Sequence, residues 1–288
     1  MLWTIRRHEP APQDARVAPT LPLDEGLFQA RWAACLRDCG EVPGLAALVE
    51  ALAAKGALFQ EALAPDALDR IDLDGLEVLL DRVFTARRRI FPALARLGAD
   101  RLRVALRDLL YGRSALRARV EAFADSLGAG AGADGAHARQ AQKLRRAARD
   151  FAAECLHFND PLSHPLMTCW VWDQATASGA LREFVAGGES GAEISLGMAP
   201  EMFEDARSWL ATQVAGQGIY RDLPLIVDIV LASAYAAYFH AMARGMVSME
   251  FGRGVEPIDA ITQFLGIDEA RGRRSRVRKS DGLADGPA

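Results

Sequence analysis

LPLIVDIVLASAYAAYFHAMARGMV, residues 223–247, is the stretch that decides the fold. As a helix it is apolar on nearly every side, which leaves a span across a bilayer or a helix enclosed by protein. Asp228, His240 and Arg244 interrupt it, and the unbroken part near Ile229–Phe239 falls short of the roughly 20 residues a span needs. The reading is therefore a buried helix of a soluble, cytoplasmic protein with no transmembrane segment. Its cover comes from this chain or from a second copy, so a homo-oligomer is among the partners the sequence admits. A charge in such a helix is expensive unless it is paired. Asp228 and His240 each require a partner.

The composition around this stretch agrees. Of 288 residues, 50% are hydrophobic and 25% charged, the balance of a globular chain with a real core. Ala and Leu dominate the aliphatic share, while aromatic and β-branched residues are sparse, which favours helix over strand. The expectation is an all-α, multi-helix globular bundle of about ten helices. The four cysteines are too few and too scattered for a disulfide framework. Cys35 and Cys39, one helical turn apart, read as core thiols rather than as zinc ligands shared with Cys155 or Cys169. The N-terminus, MLWTIRRHEPAPQDARVAP, is broken by prolines and charges and has no unbroken apolar run of a secretory signal.

In chain order, residues 1–22 read as a flexible arm and 23–127 as an N-terminal helical half. A Gly-rich connector follows at 128–136, then a C-terminal helical half at 137–267 and a disordered basic tail at 268–288. Asp24 is a good N-cap for a helix stopped by Gly40. Further helices are expected over Pro43–Ala54, ended by Gly56, and from Pro65. Another runs from Asp74 through Arg87, Arg88 and Arg89 until Pro92 breaks it. Helices then follow over Asp100–Tyr111, from Gly112 to about Leu127, and from His137 to Phe151. After a break, helix is expected to resume at Pro165 and run to Gly187. Pro200, Asp222 and Glu256 open the last three. No repeat of fixed period is present.

Net charge is −4, but it is unevenly spread. Residues 86–149 hold 15 basic and 5 acidic side chains, whereas 150–267 hold 5 and 15. A basic surface is expected on the middle helices, carried by Arg103, Arg107, Arg139, Lys143, Arg146 and Arg149, and fitted to an acidic protein or another polyanion. The competing use of these cations is to pair with acids of the same chain. Nucleic acid is not favoured, because only Phe91 and Tyr111 interleave with the cations as stacking platforms. The tail segment Arg271–Lys279 is a second, solvated basic cluster.

Candidate chemistry gathers in FAAECLHFNDPLSHPLMTCWVWD, residues 151–173. Glu154 and His157 lie on one helical face at i and i+3, a spacing that suits an acid/base pair or half of a di-iron site. The second Glu-x-x-His that a di-iron site requires is absent. What remains is a single divalent metal (Zn, Mn or Fe) on His157, Asp160 and His164, completed by His240 or Glu154, with Glu154 and His157 as catalytic residues. Against this, Asp160 also suits the role of capping the turn before Pro161. Trp170, Trp172 and Phe184 read as core anchors. No nucleophile elbow, phosphate loop or dinucleotide fingerprint occurs. The expected function is that of an interaction, assembly or regulatory protein, with a metal-dependent enzyme as the alternative.

Overall fold

The computed structural model describes residues 21–128, 136–187, 196–245, 256–268 and 277. Among the described residues, eleven α-helices and one 3-10 turn are formed and no strand occurs. In order they are α1 (Glu25–Cys39), α2 (Glu41–Leu63), α3 (Pro65–Leu68), α4 (Leu73–Asp81), α5 (Phe91–Leu97) and α6 (Ala99–Tyr111). Then come α7 (Leu116–Ser126), α8 (Ala136–Asn159), the 3-10 turn Ala180–Phe184, α9 (Pro200–Gly216), α10 (Leu223–Gly245) and α11 (Pro257–Phe264). The all-α expectation holds. The basic cluster Arg271–Lys279 lies, apart from Val277, outside the described residues, as do most of the N-terminal arm and of the Gly-rich connector.

Local chemistry sets most of the boundaries. Asp24 accepts a hydrogen bond from Leu27 N, and Gly40 takes the left-handed conformation that closes α1. Asp72, not Asp74, caps α4, by accepting from Gly75 N.

Three boundaries depart from the sequence reading. Gly56 does not end α2, because Phe59 and Leu63 beyond it continue the core face of Leu48 and Leu52, and that burial outweighs the roughly 1 kcal/mol a helical Gly costs. The segment after α4 leaves the helix at Arg82 and passes through turns, and Pro92 opens α5 rather than breaking α4. Finally, α8 runs on to Asn159, and residues 160–179 form turns rather than a new helix. The large rings of that segment are buried: Trp170, Trp172 and, in the 3-10 turn, Phe184 are at most 2% exposed.

One hydrophobic core spans both sides of the connector. By length and composition alone α2 and α10 are both apolar enough to cross a membrane. In α10, Ile226–Ala234 are buried against α1, α2, α9, α11 and the 3-10 turn. The cover of this apolar helix therefore comes from the same chain, except near Phe239 and Met242, which are exposed.

Candidate functional site

The ionisable groups gather on α8. Arg139, Lys143, Arg146, Asp150, Glu154 and His157 follow at steps of 4, 3, 4, 4 and 3 residues, which at 3.6 residues per turn is a single stripe along the helix. Exposure falls along it. Arg139 and Lys143 are exposed, Arg146 is half-buried, and Asp150, Glu154 and His157 are buried.

The buried end consists of two ion pairs. Lys55 sits on the core face of α2 between Leu52 and Phe59. Its Nζ donates to Glu154 Oε2 at 2.5 Å and to the Leu265 carbonyl at 2.8 Å. It also lies 4.1 Å from the centre of the Phe158 ring, where the ring face favours a cation. Burial pulls the Lys55 pKa down and pushes the Glu154 pKa up, and the contact between them opposes both shifts.

His157 is fully buried; its Nδ1 lies 2.8 Å from the His164 carbonyl and its Nε2 lies 2.7 Å from Asp228 Oδ2. A carbonyl and a carboxylate only accept, so the geometry calls for a proton on each ring nitrogen. Burial alone lowers the pKa of His157, but the Asp228 charge and hydrogen bond, with the His164 carbonyl and Glu154, outweigh burial and raise it.

The pH consequence follows from that sign. A group whose folded pKa is raised stabilises the fold fully below its unfolded value, near 6.5, and that contribution disappears as pH rises through the folded value. The stability of the wild type minus that of His157→Gln, measured by urea unfolding at a series of pH values, is expected to shrink above that point. A difference that grows with pH contradicts the assignment.

The described residues do not bring the expected metal ligands together. Both His157 nitrogens are engaged, leaving no lone pair for a cation. His164 gives its carbonyl to His157, and its own ring Nδ1 has no hydrogen-bond partner. Asp160 caps its turn by accepting from Ser163 N at 3.1 Å. His240 lies near Asp38 instead, and its Nε2 is buried without a hydrogen-bond partner. No three His, Cys, Asp or Glu side chains among the described residues are grouped to hold a metal ion. Glu154 and His157 are also buried, at 1% and 0% exposure, and the cavity beside Asp228, about 10 Å³, has room for at most one water molecule.

Toward the exposed end, Asp150 accepts from Cys169 N at 2.7 Å and Cys169 Sγ at 2.8 Å. Burial, reinforced by the Asp150 charge and hydrogen bond, pushes the Cys169 thiol far up. It is therefore a protonated donor and not a thiolate nucleophile. Burial also raises Asp150, against its bonds from Cys169. Beside this pair opens a cavity of about 350 Å³ lined by Arg87, Arg88, Arg89 and Arg146.

The structure separates the six expected surface cations. Arg103 meets Asp100 and the Ile71 carbonyl, and Arg107 meets Asp69 and the Pro65 carbonyl. Arg146 pairs with Asp173 at 2.6 Å and Arg149 with Glu121 at 2.8 Å. Of these six, Arg139 and Lys143 alone stand exposed without an ion pair to a described residue. Arg88 and Arg89, which sequence reasoning placed on a helix face but did not single out, share that state.

Lys55, Asp150 and Cys169 were missed as partners. Lys55 had a legible signal, because it occupies a leucine-stripe position. Asp150 had a weaker one, four residues before Glu154. Cys169 had none, since its position depends on how residues 160–179 fold back on α8. The chain matches no family model, no curated protein and no solved structure.

Proposed function

We propose that this protein is a non-catalytic interaction protein that engages an acidic protein surface through the exposed cations of α8 and the neighbouring turn. The observation that carries this reading is the unpaired state of Arg139 and Lys143, at the exposed start of a stripe whose later members all have partners. No acidic residue lies in the first turn of α8. Arg139 there meets the positive end of the helix dipole, which disfavours it, and Lys143 one turn further on gains nothing from it. Their placement serves something other than the stability of the helix, and it strengthens the positive potential a partner meets.

Arg88 and Arg89 extend the surface across the cavity from Arg146. An acidic protein suits it better than nucleic acid. Tyr111 gives its hydroxyl to the Leu63 carbonyl, and Phe91 is only partly exposed against the core, so neither forms an open stacking platform. Cytoplasmic residence belongs to the same proposal.

The test uses labelled poly-L-glutamate as the acidic chain. Arg139→Glu/Lys143→Glu is expected to weaken binding more than tenfold. Arg103→Glu/Arg107→Glu, which alters cations already paired, is expected to weaken it far less. Equal loss in both variants, or tighter binding of a DNA duplex than of the acidic chain, contradicts the proposal.

A further inference from the structure

The cavity between the turns after α4, α8 and α11 is lined by neither Arg139 nor Lys143, although Arg88 and Arg89 border both it and the exposed surface. At about 350 Å³ it lies at the small end of the range for small-molecule sites. Its chemistry is one-sided. Four guanidinium groups line it, and two of them are neutralised within the chain, Arg87 by Asp268 and Arg146 by Asp173. Arg88 and Arg89 have no such partner among the described residues.

Two buried polar atoms of the lining are also left without a hydrogen bond, Arg146 Nε and the Thr85 hydroxyl. Thr85 lies close enough to Asp150 to lower that carboxyl, but it falls short of hydrogen-bond geometry. An unsatisfied buried N–H costs about 1–3 kcal/mol, so a site that leaves one beside open space suits a ligand that accepts from it. The one carboxylate of the lining, Asp150, is held by Cys169 through backbone and thiol.

We propose that this cavity binds a phosphate group, borne by a small phosphorylated molecule. Arg88, Arg89 and Arg146 hold the phosphate, Thr85 donates to it, and Gln263 and Phe84 face the remainder of the ligand. A phosphate dianion balances the two unpaired cations, and its several acceptor oxygens match forked donors arriving from two elements better than a carboxylate does. Phe84, packed edge-on against Phe264 at 5.4 Å, supplies the apolar wall that an organic phosphate uses and inorganic phosphate does not. The proposal stands whether or not the ridge binds an acidic protein.

The test is calorimetric titration of the full chain with inorganic phosphate and with phenyl phosphate, at matched low ionic strength. Saturable binding is expected for both, tighter for phenyl phosphate. Arg88→Ser/Arg89→Ser, two exposed positions, is expected to weaken it at least tenfold, while Arg139→Ser/Lys143→Ser leaves it within twofold. Equal affinity for the two probes overturns the organic ligand. Absence of saturable binding in folded wild type, or equal loss in the two variants, overturns the site. Failure of poly-L-glutamate binding with phosphate binding intact removes the ridge proposal alone.

Discussion

Lys55→Met is expected to lower unfolding stability by about 3–5 kcal/mol. The residue is 4% exposed and its Nζ serves both Glu154 and the Leu265 carbonyl. Replacing it by an apolar chain of similar length keeps the packing and strands a carboxylate in the core. Glu154 then has to protonate or drag water inward, and either response is expensive. The double variant Lys55→Met/Glu154→Leu removes both charges, and it is expected to return to within about 1 kcal/mol of wild type or to exceed it. Urea unfolding of the four proteins closes the cycle. A double variant that loses the sum of the two single losses would show that the pair is not coupled. Because burial opposes the charged form of each partner, the pair contributes definition more than net stability: only one register of α2 against α8 lets the two groups meet.

The second large effect lies at Gly266, just beyond α11. Its φ is +66°, and a Cβ there would stand 1.8 Å from the Arg82 carbonyl oxygen and 3.1 Å from Lys55 Nζ. Gly266→Ala therefore combines a left-handed penalty with a collision against backbone that cannot yield cheaply, and about 3 kcal/mol of destabilisation is expected. Gly218→Ala is the control. Gly218 also has positive φ, +85°, but nothing lies within 4 Å of its would-be Cβ, so only the conformational cost of roughly 1 kcal/mol applies. Equal urea midpoints for the two variants would mean that the close approach of α11 to the end of α4 is not maintained in solution. That approach also places Gln263 at the arginine cavity and Asp268 beside Arg87, so loss of phosphate binding should accompany the destabilisation.

The helices were legible in the sequence where capping and periodicity agree, as at Asp24 and Gly40 around α1 or Pro200 at the start of α9. They were misread where tertiary burial overrides a local signal. Gly56 looks like a stop, but Phe59 and Leu63 have a core to enter. Pro165 looks like a start, yet the segment behind it buries Trp170 and Trp172 better as turns. The candidate site was legible by halves. That Asp228 needed a partner followed from its apolar helix, and His157 supplies it. Which of the basic residues are free was not legible, because Arg103, Arg107, Arg146 and Arg149 find their acids on other elements. Periodicity places a side chain on a face but does not say what meets that face.

The exposed end of the α8 stripe carries the central claim, and salt tests it most directly, since solvent-exposed charges are screened far more than buried pairs. Anisotropy of labelled poly-L-glutamate should be followed with wild-type protein from about 50 to about 300 mM NaCl, a range over which the screening length falls by more than half. The account predicts saturable binding at low salt that weakens at least tenfold over the range, and binding weakened more than tenfold at low salt for Arg139→Glu/Lys143→Glu. Binding that is indifferent to salt, or absent at low salt from folded wild type, contradicts it.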